Sequence, residues 1–140
     1  MAESVVVEEN GKGRYQQAVI AGQHQLIADE PESAGGSDAG PAPFDFVMAG
    51  LGSCTSMTLR MYAERKKLNL GKVSVALSHE KIDLDGIKRD RIQRTITLTG
   101  DLTAKQRQRM LEIANKCPVY RAVSPSLLIE TTLVEQAITP

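Results

Sequence analysis

Two cysteines and two histidines are the side chains in this 140-residue sequence best suited to nucleophilic or metal chemistry. Cys54 and Cys117 lie 117 − 54 = 63 positions apart, which is neither a Cys-x-x-Cys redox pair nor a zinc-knuckle spacing. A tetrahedral zinc site would need both cysteines together with His24 and His79, and no two of these four are local neighbours. No metal and no bound cofactor is expected. His79 is in phase with Val73, Val75 and Leu77, so it reads as a hydrogen-bonded residue at the edge of a core. His24 simply follows a turn.

The cysteines have a bland reading, because a free Cys packs like a small hydrophobe. They also have a chemical one. Each falls on the apolar face of one of two expected helices, and such faces meet in a shared core. If they oppose each other, the sulfurs come within disulfide range, with Cα atoms no more than about 7 Å apart. A reactive Cys works as its thiolate and needs a cation or a helix N-terminus nearby. Cys54 sits about ten residues into its helix, beyond the first turn where the dipole acts. Arg60 is six positions further on and points to a different face. The activating charge must therefore come from elsewhere in the fold.

The elements that would carry these residues follow from pattern. Ser4 to Glu9, Arg14 to Ala21 and Gln23 to Asp29 read as three strands separated by glycine turns. Glu30 to Pro43, with three glycines and three prolines, reads as a loop long enough to be functional. From Phe44 a helix begins: Val47, Leu51, Cys54, Thr58 and Met61 recur at steps of three and four, and Glu64 to Lys67 mark its solvated end. Gly50 and Gly52 each weaken it by about 1 kcal/mol relative to Ala, which makes sense if another backbone packs closely there. Val73, Val75 and Leu77, then Ile92, Ile96 and Leu98, alternate as half-buried strands, with Asp83 to Asp90 as a turn or extended hairpin loop. Thr103 and Gln106 form a capping box for a helix running through Lys116, stopped by Pro118. Leu127 to Val134 reads as a last strand. The order βββ-α-ββ-α-β is not that of a doubly wound sheet; the fold class is α+β in a single domain over 1–140.

Composition narrows the function. With 17 basic and 17 acidic residues the formal net charge is +0, so nothing drives phosphate binding, and with no Trp, 3 Tyr and 2 Phe there is little to stack on bases. No nucleic-acid partner is expected. The uncharged run Phe46 to Leu59 is 14 residues, too short to cross a bilayer, and Met1 to Asn10 is acidic, unlike a secretory leader. A cytoplasmic protein without a membrane partner is expected, in which the cysteines are thiols or a redox pair.

The stretch Gly40-Pro41-Ala42-Pro43-Phe44-Asp45-Phe46-Val47-Met48-Ala49-Gly50-Leu51-Gly52-Ser53-Cys54-Thr55 resembles the core-helix signature of the OsmC/Ohr family, the osmotically inducible and organic hydroperoxide resistance proteins. Cys117-Pro118-Val119 is similar to that family's second cysteine motif, and Asp29-Glu30-Pro31 ahead of Gly35-Gly36 resembles its OsmC-like branch. The likeness extends over nearly the whole chain. It implies two core helices with antiparallel sheets in an intertwined homodimer, and a thiol peroxidase acting on organic and fatty-acid hydroperoxides. By that resemblance Cys54 is the peroxidatic residue and Cys117 the resolving one, closing a Cys54–Cys117 disulfide that an external dithiol, a lipoylated protein in the family, reduces. Arg14 matches the arginine that holds the thiolate, although Lys12 interrupts the family's paired glycines. The orienting acid departs: family peroxidases carry Pro-Glu-Gln where this chain has Pro43-Phe44-Asp45. Asp45 is one position nearer the cysteine, a rotation of about 100° on a helix. It reads equally as a first-turn carboxylate favouring the helix dipole. A non-catalytic domain binding an apolar ligand and a thiol redox sensor are the alternatives.

Overall fold

The computed structural model describes residues 4–124; the strand expected at Leu127 to Val134 lies outside them. Three short antiparallel strands, β1 (Val5–Glu9), β2 (Gln17–Ala21) and β3 (His24–Ala28), form a sheet in the order β1-β2-β3. Arg14 does not open the second strand as expected; it belongs to the bend before it, because Gln17 is the first residue paired to β1, opposite Glu9. Val5, Val6 and Val7 on β1 and Leu26 and Ile27 on β3 are all exposed, so apolar side chains stand uncovered on both faces of this sheet.

The glycine-rich loop after β3 is tightly built. Asp29, itself buried, accepts the backbone N–H groups of Glu30, Ser37 and Ala39 at 2.7, 3.2 and 3.1 Å. These bonds, Ala39 foremost, hold its carboxyl below the usual carboxylate range against the opposing effect of burial. Glycine is demanded twice by close approach: a Cβ on Gly36 would stand 2.0 Å from the Glu30 carbonyl oxygen, and one on Gly40 2.1 Å from that of Ile27. The loop thus delivers the chain to the first helix in a fixed direction.

That helix, α1 (Pro43–Lys66), has proline at its first position, where a missing N–H costs nothing. It packs on a long hairpin of β4 (Leu70–Leu84) and β5 (Ile87–Gly100). The segment Asp83 to Asp90 is therefore mostly strand rather than loop: only Asp85 and Gly86 turn, at φ 51 and 82. An Asp-Gly pair with both φ values positive makes a two-residue hairpin turn, and its charged flanks remain paired strand facing water. Inward positions alternate as expected through Val73, Val75, Leu77 and His79 on β4 and Ile92, Ile96 and Leu98 on β5.

Helix α2 (Ala104–Ala114) carries the expected box, with Gln106 N–H donating to Thr103 Oγ1 at 3.1 Å and Thr103 N–H to Gln106 Oε1 at 2.9 Å. It ends at Ala114, before Lys116. Pro118 does not terminate it but opens a further helix, α3 (Pro118–Val123), for the same reason that Pro43 opens α1. The core lies between α1, α2 and the hairpin: Leu59, Ala63, Met110, Ile113 and Ala114, with Leu68, Leu70 and Ile96 against them.

On α1 the buried stripe is Leu51, Gly52, Thr55, Leu59 and Ala63. The stripe expected from periodicity was Val47, Leu51, Cys54, Thr58 and Met61, so the observed one is turned by about one residue, roughly 100°. The cause is that α1 is apolar almost all round. Val47 is 47%, Met57 60% and Met61 65% exposed, on the half that the described residues leave uncovered.

Candidate functional site

Cys54 sits at the border between these two halves of α1, half-buried, while Cys117 is fully buried. Both are free thiols. Their meeting place is the first turn of α3. Val119 N–H donates to Cys54 Sγ at 3.5 Å, and Tyr120 N–H donates to Cys117 Sγ at 3.3 Å. Two sulfurs 63 positions apart in sequence therefore share consecutive amides. The local sequence explains this. Pro118 forces Cys117 into extended backbone, φ −65 and ψ 137, which makes it the N-cap of α3 and leaves its side chain free to accept from the turn that follows.

A guanidinium joins the residues around this pair, that of Arg94, which the sequence did not single out. Its guanidinium donates to Thr55 Oγ1 at 3.0 Å, to the Ala114 carbonyl at 3.2 Å and to Asn115 Oδ1, and lies 4.7 Å over the Tyr120 ring. Thr55 Oγ1 in turn is 3.8 Å from Cys117 Sγ. One signal could have found Arg94: it occupies an inward position between Ile92 and Ile96, and a cation in phase with a core face needs a buried partner.

The other expected site residues are elsewhere in the chain. Arg14 lies over the ring of Tyr15 at 4.9 Å and beside Gly35, and no hydrogen bond joins it to either cysteine. Asp45 accepts the Ala42 N–H at 2.9 Å, satisfying a donor left over at the start of α1. Ala42 has no side-chain acceptor, so only this half of a capping box exists. Gly52 meets the Leu77 Cδ1 position rather than another backbone, and Gly50 has nothing within 4 Å of a Cβ among the described residues. No group of three potential metal ligands occurs among the described residues.

A cavity of about 450 Å³ is walled by Val47 and Leu51 of α1, Leu84 and Ile92 of the hairpin, and Val119 and Tyr120 of α3, the two residues whose N–H groups bond the sulfurs; neither cysteine lines it. Its hairpin side also presents Arg89, Asp90 and Arg91. Asp90 accepts from His79 Nε2 at 2.8 Å and pairs with Lys81 at 3.3 Å, and these contacts, His79 first, hold its carboxyl below the usual range. His79 stacks on Phe44 with ring centroids 3.7 Å apart, tying the hairpin to the start of α1. The cavity lining as a whole is mostly apolar. No helix among the described residues is long and apolar enough to cross a membrane.

No curated protein matches the sequence. Among solved structures the fold is shared by a protein of Psychrobacter arcticus 273-4 described as an osmotic-stress-induced and detoxification response protein, at TM-score 0.72 and 19% identity, covering 88% of this chain and 89% of that one. An OsmC-like protein of Mycoplasma pneumoniae superposes at TM-score 0.75 and 16% identity, with 89% of each chain covered. An organic hydroperoxide resistance protein OsmC of Legionella pneumophila does so at TM-score 0.68 and 18% identity, covering 91% and 92%. At these identities the likeness establishes the α+β fold with antiparallel sheets. The sequence model of the OsmC-like proteins matches residues 35–132, from the glycine-rich loop past both cysteines, and this chain belongs to that family.

Proposed function

We propose that the protein is a thiol peroxidase that reduces organic hydroperoxides, fatty-acid hydroperoxides among them. The observation that carries this is the placement of two free thiols on consecutive amides, those of Val119 and Tyr120, residues that also wall a mostly apolar cavity. The Cys54 thiolate attacks the terminal peroxide oxygen; the O–O bond breaks, the alkoxide leaves and takes a proton as alcohol, and Cys54 becomes a sulfenic acid. Cys117 attacks that sulfur, the S–O bond breaks, and the thiol proton departs with hydroxide as water, leaving the Cys54–Cys117 disulfide. An external dithiol, such as a lipoylated protein, reduces it and is itself oxidised to a disulfide. The name of the Legionella relative supports the peroxide class.

In this reading the whole chain is one domain, and the working unit is a homodimer. The β1-β2-β3 sheet and the Val47, Met57 and Met61 side of α1 are apolar surfaces that a second copy would cover. Arg14 is proposed to stand beside Cys54 and Asp45 to orient it only in that assembly, since within one chain each is occupied by other contacts. The second reading, a non-catalytic domain for an apolar ligand, rests on the same cavity.

The test is hydroperoxide consumption by the full-length protein with dihydrolipoamide as reductant. Turnover of tert-butyl and fatty-acid hydroperoxides is expected. Cys54→Ser should abolish it, and Cys117→Ser should leave a sulfenic acid that can be trapped and over-oxidised. No consumption of either peroxide, with an apolar ligand retained in native mass spectrometry, would establish the binding reading instead.

A further inference from the structure

We infer that Arg94 and Thr55 are positioning residues for the second thiol: they set the orientation of Cys117 and so act on disulfide closure rather than on peroxide attack. The inference rests on the peroxidase reading above. A threonine hydroxyl has one proton to give and two lone pairs. Thr55 spends its proton on the Leu51 carbonyl, 2.7 Å away in the preceding turn of α1. Its oxygen then has only acceptor capacity left, and Arg94, which can only donate, fills one of those sites at 3.0 Å. The remaining site faces Cys117 Sγ at 3.8 Å, so the thiol must be the donor in that contact. Tyr120 N–H, donating to the same sulfur at 3.3 Å, fixes it from the other side. The Cys117 proton is thereby directed toward Thr55, and one sulfur lone pair toward the first turn of α3, where Cys54 Sγ also sits.

Arg94 governs this arrangement from both directions. By filling one acceptor site of Thr55 beside the bond to the Leu51 carbonyl, it leaves a single acceptor site of that hydroxyl for the thiol. Through Ala114 and Asn115 it holds the end of α2, and through the Tyr120 ring it holds α3, so the short link bearing Cys117 is tied at each end to β5. Resolution joins two side chains from separate elements and is sensitive to misplacement of about 1 Å, which alters such rates by up to about a hundredfold. Attack of Cys54 on an incoming peroxide does not use Cys117.

The experiment compares two rates in the full-length protein: oxidation of Cys54 by tert-butyl hydroperoxide, and disappearance of the sulfenic acid that a cyclic dione traps. In Arg94→Gln and Thr55→Val the ratio of resolution to oxidation should fall about tenfold or more, with trapped and over-oxidised Cys54 accumulating. Thr55→Ser, which restores the hydroxyl, should recover the wild-type ratio. A merely structural role would slow both steps together and would not be rescued selectively by serine. If Arg94→Gln does not fold, the Thr55 pair carries the test alone. A ratio within about twofold of wild type in Thr55→Val overturns the inference while leaving the peroxidase reading intact. A wild-type protein that forms no disulfide with peroxide overturns both.

Discussion

Leu59→Ala and Met61→Ala, two residues apart on α1, should have costs of different kinds. Leu59 is fully buried against Met110, Ile113 and Ala114, with strand residues closing the far side. Removing three carbons forfeits about 2.4 kcal/mol of transfer free energy, and the cavity left behind adds to it. A total of about 3 to 4 kcal/mol is expected, a large share of the stability of a domain this size. Because that contact lies inside one chain, the loss should not depend on protein concentration. Met61 is 65% exposed, so within one chain its truncation should fall within about 0.5 kcal/mol. If a second copy covers that side of α1, Met61→Ala instead weakens association, and its cost appears only in the concentration dependence of unfolding. Urea unfolding at two protein concentrations a hundredfold apart reads both effects. A Leu59→Ala cost below about 1 kcal/mol would refute the placement of the core. A Met61→Ala cost as large as that of Leu59→Ala, and equally independent of concentration, would refute the division of α1 into covered and uncovered halves.

Three further outcomes follow from local geometry. The Asp29 carboxyl is held below its ordinary range by three amides, so its stabilisation is full above about pH 4 and is lost as pH falls through the lowered folded value; the stability gap between wild type and Asp29→Asn should narrow in that window, and a gap unchanged down to pH 2 counts against the clamp. Gly50→Ala should strengthen the isolated helix by up to about 1 kcal/mol, because nothing stands within 4 Å of the new Cβ. The same change should raise the dimer dissociation constant in sedimentation if the partner approaches there; a tighter dimer contradicts that assignment. Thr103→Ala removes a reciprocal cap and should cost about 1 kcal/mol in thermal unfolding, with no loss meaning that the box is idle.

Most of the elements were legible because their signals are local. The Thr103–Gln106 box, the alternation through Val73 and Ile96, and the Phe44 helix start all depend on residues within a few positions of one another. The misreadings share a different cause, in that charge was read as loop and proline as an ending. Asp83 to Asp90 is charged because that end of the hairpin faces water, yet Asp85-Gly86 already carried the tight-turn signal. Pro118 breaks α2 only in the sense that it begins α3, and Pro43, read as the last residue of the loop, likewise opens α1.

The candidate site was half legible, for a reason that the proposed chemistry would use. Periodicity detects apolar positions but not which neighbour covers them, so on a helix that is apolar nearly all round it selected Val47, Cys54 and Met61, the stripe the described residues leave open. Cys54 at the border of that stripe touches α3 of its own chain through Val119 while its other flank stays accessible to a peroxide or a second copy. In the proposed peroxidase reading, a peroxidatic Cys54 needs both conditions: a fixed neighbour for the second step and an approach for the first. Burial on the Leu59 side of α1 would have removed the approach, and a position one residue further toward solvent would have removed the amide. On that proposal the half-buried boundary is where the attacking sulfur has to stand, and a reading that assigns every apolar residue to one core cannot distinguish it.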